Sequence, residues 1–372
     1  MSRLNCLPDR QTVGYYLLEL IAVSGEFPTE QLDRLPGGSS YKINVVKSLK
    51  QNHLIRTYYR DGLRGLRLTG TAKKLLLLDA PERFSFALTG SAETNHIKSE
   101  ITRRIRLHRI AQATVTMQNA DIDIYRDEKP PVFLPEMVKN LRITSPAFYN
   151  SREIKEYGAT FVKIKGARSV GVLLGNEKAF VVYNLGNTLM KWEYKSEMRT
   201  KALMKTVLCR ERLPEQYSPE DIDGLILADS METAYSLLAD EGGKQYFVLD
   251  GNYEHFHFIT NDRKGEHILK LLYDRDLNEQ LQDILMTDLY SGNTGATLEN
   301  DALDESGNPV LFAYTCDLPR IKRFDTALRL QSKCGTVICF DFQKEALARY
   351  CGKQITFQTI SYEKWERNCC EK

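Results

Sequence analysis

Two triplets in this chain have the residue types of a metal-assisted phosphate site, Glu153–Ile154–Lys155 and Glu193–Tyr194–Lys195. In a Glu-x-Lys pattern the carboxylate takes a divalent cation that prefers oxygen, Mg²⁺ or Mn²⁺. The lysine two residues on steadies charge developing on a phosphate or positions the nucleophile. Such a site needs a second carboxylate, and Glu136 lies 17 residues before Glu153. The same triplets also suit solvated ion pairs on a strand or helix.

A different chemistry is written in Glu254–His255–Phe256–His257–Phe258. On a strand, the period of two puts His255 and His257 on one face, and neutral imidazole is a common metal ligand. His267 could add a third ligand, and Tyr273 on the following helix could be the nucleophile of a covalent step. The alternative is a pair of half-exposed histidines on an edge strand.

The elements that would position these groups follow from hydrophobic periodicity and turn chemistry. Residues 11–23 carry Val13, Tyr16, Leu17, Leu20 and Ile21 on one helical stripe, ended by Ser24–Gly25. A short helix follows over residues 28–35. After Pro36–Gly37–Gly38 a third begins, capped by Ser39 or Ser40, burying Tyr41, Val45, Val46 and Leu49 and exposing Lys42, Asn44, Lys47 and Lys50. Two β-prone runs around Asp61–Gly62 predict a hairpin, and Thr69–Gly70–Thr71 caps a further helix. Three helices, a hairpin and a helix is the order of a winged helix-turn-helix. Its third helix can enter a major groove and its wing can touch the adjoining backbone. Lys42, Asn44, Lys47 and Lys50 on the helix and Arg60 and Arg64 on the wing are the expected DNA contacts. Arg103 and Arg106 extend them along a basic helix predicted over residues 93–118.

Charge supports this division. Residues 1–120 hold 18 Lys and Arg against 10 Asp and Glu, residues 121–214 hold 17 against 11, and residues 215–372 hold 16 against 28. A basic first part suits a polyanion, most simply double-stranded DNA, and an acidic last part suits a basic protein partner. The 372 residues, 42% hydrophobic and 27% charged, are those of a globular multidomain chain. No apolar run exceeds five residues, far short of a membrane span, and residues 1–10 have no signal-like apolar core. The eight cysteines are scattered without a Cys-x-x-Cys, as in reduced cytoplasmic thiols. No glycine-rich nucleotide loop is present. A homodimer is compatible with this composition.

Leu66–Arg67–Leu68–Thr69–Gly70–Thr71–Ala72, the Arg- and His-bearing segment 104–113, Tyr149–Asn150–Ser151–Arg152–Glu153–Ile154–Lys155 and Val182–Tyr183–Asn184 resemble segments of the replication-relaxation family, which includes MOBC relaxases of conjugative and mobilisable elements. The resemblance spans roughly residues 10–210 and rests on element order and short strings. It implies a restriction-endonuclease-like catalytic region that nicks DNA at a transfer or replication origin. Glu153 and Lys155 would stand at the metal and phosphate, Glu136 would be the second carboxylate, and Tyr149, Tyr157 and Tyr183 would lie near the scissile phosphate. A non-catalytic regulator or accessory transfer factor is the alternative. The expected architecture is α+β and multidomain. It comprises a winged helix (1–82), a basic helical connector (83–120), a nuclease-like α/β region (121–214) and an acidic α/β domain with a largely parallel sheet (215–372).

Overall fold

The computed structural model describes residues 6–90, 99–136, 138, 140–157, 168–189, 194–240, 249, 253–292 and 298–369. The chain is mixed α/β and divides into two compact units, Met1–Lys163 with Val170–Leu173, and Ile164–Ser169 with Leu174–Lys372. The sequence divisions at 120 and 214 thus fall inside the first and second units, respectively.

In the first unit, helix α1 (Val13–Ser24) is capped by Thr12, whose side chain accepts from the Tyr15 N–H, and it buries Leu17, Leu18, Leu20 and Ile21. Strand β1 (Phe27–Pro28) and a 3₁₀ turn (Thr29–Arg34) lead to α2 (Ser39–Gln51). The hairpin β2 (Ile55–Arg60) and β3 (Leu63–Leu68) closes on Asp61 and Gly62, at φ 53° and 77°. Two positive φ angles in a two-residue loop match the twist of antiparallel strands, and Asp-Gly supplies them at little steric cost. The three strands form one antiparallel sheet, ordered β1-β3-β2. Helices α3 (Gly70–Asp79), α4 (Pro81–Thr89) and α5 (Ile101–Asn119) complete this part.

Two expectations change here. Gly38, not Ser39 or Ser40, is the cap position of α2, and it carries no side-chain cap. The basic helix is no solvated connector: from Ile101 on it is built into the core, burying Ile110, Ala111, Ala113, Val115 and Met117. The expected start of that helix at residues 93–98 lies outside the described residues. Beyond α5, strands β4 (Ala147–Asn150) and β5 (Gly171–Leu174) lie side by side, with a helical turn, Ser151–Ile154, directly after β4.

The second unit contains β6 (Ala179–Gly186), β7 (Ile222–Ala228) and β8 (Phe256–Thr260) in parallel register, with Leu225 opposite His257. Helices α6 (Tyr194–Thr206), α7 (Met231–Ala239) and α8 (Arg263–Tyr273) intervene or follow. Asp274 breaks the helical run as its side chain caps α9 (Arg275–Leu285). A second sheet is ordered β12-β11-β10-β9, with β9 (Ala302–Leu303) antiparallel to β10 (Pro309–Phe312), and β10, β11 (Gly335–Phe340) and β12 (Ile355–Ile360) parallel. Helices α10 (Leu318–Gln331) and α11 (Asp341–Tyr350) make the crossovers, and α12 (Tyr362–Cys369) closes the unit. Parallel strands joined by helices are what short apolar runs alternating with helical segments demand. Among the described residues no helix is long and apolar enough to cross a membrane.

Candidate nucleic-acid interface

Helix α2 turns Ser40, Ile43, Asn44, Lys47 and Gln51 to solvent. At ~100° per residue these five positions fall within an arc of about 100°, one continuous stripe. Ile43 is 66% exposed, a large apolar side chain left in water. No hydrogen bond or ion pair engages any of the five side chains among the described residues. Lys50 is half-buried beside the stripe. Lys42 is a correction: it is buried, and its ammonium donates to the carbonyls of Asp33 (2.9 Å) and Leu35 (3.1 Å) at the end of the 3₁₀ turn. The same shift in helix phase leaves Tyr41 48% exposed instead of buried.

The wing carries Arg56, Arg60 and Arg64 on exposed positions. Arg60 pairs loosely with Asp61 at 3.4 Å. What holds the wing in place was not evident from sequence. Glu26, at the end of the α1–β1 connection, is wholly buried and accepts from Arg67 (2.6 and 2.8 Å), Arg104 (2.5 Å) and the His108 ring (2.9 Å). Burial pushes its carboxyl up, but hydrogen bonds from His108, Arg104 and Arg67 outweigh it and hold Glu26 down at about 2. Arg104, also fully buried, spends its remaining N–H groups on the carbonyls of Arg60 (3.0 Å), Leu63 (3.0 Å) and Tyr58 (3.3 Å), which flank the wing tip. Gly65 sits on β3 because a Cβ there would stand 2.3 Å from a Glu26 carboxylate oxygen. Arg104 is therefore the wing's internal anchor and no part of the basic surface of α5.

Its neighbours on α5 remain basic surface. Arg103 is exposed and pairs with Glu100 at 3.0 Å, and Arg106 reaches Ser151 Oγ at 3.4 Å. Lys155 lies in their field. Burial, then Arg106, Arg103 and Arg152, push its ammonium down to about 8. Four cations from α5 and the turn after β4 thus generate one positive region, and an anion placed there would relieve their mutual repulsion.

The expected metal site is not assembled around Glu153. Asn150, Ser151, Arg152 and Glu153 form a capping box: the Asn150 side chain accepts from the N–H groups of Arg152 and Glu153, and the Glu153 carboxylate accepts from the Asn150 N–H at 3.0 Å. Both Glu153 oxygens also take the ammonium of Lys129, at 2.9 and 3.0 Å. Lys129 is buried and donates further to the carbonyls of Phe148 (2.7 Å) and Ile124 (3.0 Å). The cation that Glu153 holds is therefore a lysine, and its donor set does not fit Mg²⁺ or Mn²⁺. Glu136 lies exposed in the irregular stretch after Phe133. Tyr149 is buried and donates to the Pro130 carbonyl at 2.6 Å. Tyr183, fully buried in the second unit, bonds to Glu197 and Tyr253. Tyr157 follows the turn and is half-buried. A cavity of about 400 Å³ opens beside the Lys129–Glu153 pair, floored by Pro130, Pro131, Phe133 and Tyr149. Glu193 lies outside the described residues, while Tyr194 and Lys195 are exposed at the start of α6.

In the second unit His255 and His257 stand side by side, ring centroids 6.3 Å apart. His255 Nδ1 lies 2.6 Å from Asp317, whose hydrogen bond raises its pKa against burial; burial lowers that of His257. His267 instead bonds to Tyr362 at 2.8 Å, on α12. Among the described residues no group of three or more His, Cys, Asp or Glu side chains is arranged to hold a metal ion. Comparisons with protein-family models, curated proteins and solved structures return no match.

Proposed function

We propose that this chain binds double-stranded DNA through its first unit, with α2 in the major groove and the wing on the neighbouring backbone. The observation that carries this is the α2 stripe: polar, basic and apolar side chains exposed together, without internal partners among the described residues, on the helix next to an arginine-bearing wing. Arg103, Arg106 and Lys155 extend the positive field along which phosphates could run. The acidic residues 215–372 suit a basic protein partner rather than phosphate.

The family resemblance of the sequence suggests an origin on a mobile element as the DNA. The role proposed is binding rather than nicking, because Glu153 is committed to Lys129 and to its own capping box. Fluorescence anisotropy with duplex DNA over a salt series tests this. Lys47→Ala and Arg64→Ala should each weaken binding to any duplex and shallow the log–log salt slope by about 0.9 for each phosphate no longer neutralised. A full chain that binds no duplex at low salt would sink the proposal. A Mg²⁺- or Mn²⁺-dependent nick in supercoiled plasmid, abolished in Glu153→Ala, would return the chain to the nickase alternative.

A further inference from the structure

The side chains on the α2 stripe differ in what they can read. Each base pair presents its own edge in the major groove. Adenine offers an N7 acceptor beside an N6 donor, which an Asn or Gln amide meets with two hydrogen bonds. Thymine offers a methyl group, which an apolar side chain meets by packing against it. Guanine offers two acceptors, best met by Arg or Lys. Helix α2 contains no arginine. Of its three lysines, Lys42 is turned inward onto two carbonyls and Lys50 is half-buried, leaving Lys47 as the exposed cation. Asn44 and Ile43 are consecutive in sequence and exposed at the two edges of the same stripe, with Lys47 between them.

A 66%-exposed isoleucine, the most exposed apolar side chain of α2, costs free energy in the unbound protein, because its apolar area stays in water. Covering that area on binding recovers the cost. In a DNA groove, the apolar group at the right height is the thymine methyl, and cytosine carries none. Asn44, one residue on, projects to the neighbouring part of the groove with both amide atoms unengaged among the described residues.

We infer that α2 reads an A·T-containing step, with Asn44 paired to adenine N6 and N7 and Ile43 set against a thymine methyl. Lys47, and the arginines of the wing, then supply backbone affinity without sequence preference. This inference rests on the duplex-binding proposal above and adds to it the class of sequence recognised.

Selection of tight binders by the full chain from short randomised duplexes, followed by anisotropy on the enriched duplex, tests it. The enriched sequences should share an A·T-containing step. Replacing its thymine with uracil removes only the methyl and should weaken the wild type several-fold, while leaving Ile43→Ala unchanged. Replacing its adenine with 7-deaza-adenine, or Asn44 with Ala, should each cost roughly fivefold or more, and the two together little more than either alone. Lys47→Ala should weaken every duplex alike and keep the preference. Both helix positions are exposed, so the variants should fold as the wild type does, with circular dichroism as the check. Enrichment of G·C-only sequences, or a wild type indifferent to uracil and 7-deaza-adenine, would overturn the inference and leave duplex binding standing. A chain that binds no duplex in the selection would overturn both.

Discussion

Two buried carboxylates in the first unit have opposite histories in sequence and in space. Glu153 sits in a triplet that suggests chemistry, yet its oxygens hold a one-turn helix and a buried lysine. Glu26 sits in no motif, yet it gathers two arginines and a histidine and, through Arg104, fixes the wing of the proposed DNA interface. A carboxylate's role follows from which cations the fold delivers to it. Lys129 reaches Glu153 from 24 residues upstream, and Arg104 reaches Glu26 from 78 residues downstream.

The contrast can be broken by substitution. The largest effect is expected at Glu26. Glu26→Ala leaves two arginines without their counter-charge in a fully buried site and should destabilise the fold by about 3–5 kcal/mol in urea unfolding. A cost below about 1 kcal/mol would mean that the network is incidental. Acid titration comes next. Glu26 is held at about 2 in the folded chain against an ordinary 4.5. Its stabilisation is therefore complete above about pH 4.5 and fades as the pH falls toward 2. It is on the order of 3 kcal/mol across that window. Glu26→Gln should remove this part of the pH slope, and an unchanged slope would assign acid sensitivity elsewhere. The smallest effect is expected at Glu153. Glu153→Ala should cost about 2 kcal/mol, because Lys129 keeps two carbonyl acceptors and burial already lowers its pKa, so it can shed its proton. A cost equal to that at Glu26 would erase the distinction between the two sites.

Much of the fold was legible because it rests on local signals. The helical run closed by Ser24–Gly25, the Asp61–Gly62 hairpin and the Thr69 cap each depend on a few adjacent residues. The capping box at Asn150 is also written locally, as Asn-x-x-Glu at the end of a β-prone run, but the same glutamate opens a Glu-x-Lys triplet and no neighbouring residue decides between them. The phase of α2 was not readable. Lys42 faces inward because the carbonyls of Asp33 and Leu35 need a donor, a demand made by a 3₁₀ turn whose geometry no periodicity encodes. Nor was Arg104 distinguishable among four arginines on α5, since its partner Glu26 is distant in sequence. The candidate interface was therefore legible in its exposed members, Asn44, Lys47, Arg60 and Arg64, and hidden in the groups that position them.

The tie between Arg104 and the three wing carbonyls has a consequence for how the wing meets a ligand. A hairpin tip usually frays by itself, and ordering it on binding subtracts from affinity. Here loosening the tip strips hydrogen bonds from a buried guanidinium that Glu26 holds in place, so much of its disorder is removed once, when the domain folds. In the proposed complex Arg60 and Arg64 would arrive at a phosphate already aimed, and the entropy lost at that encounter would be confined to their side chains.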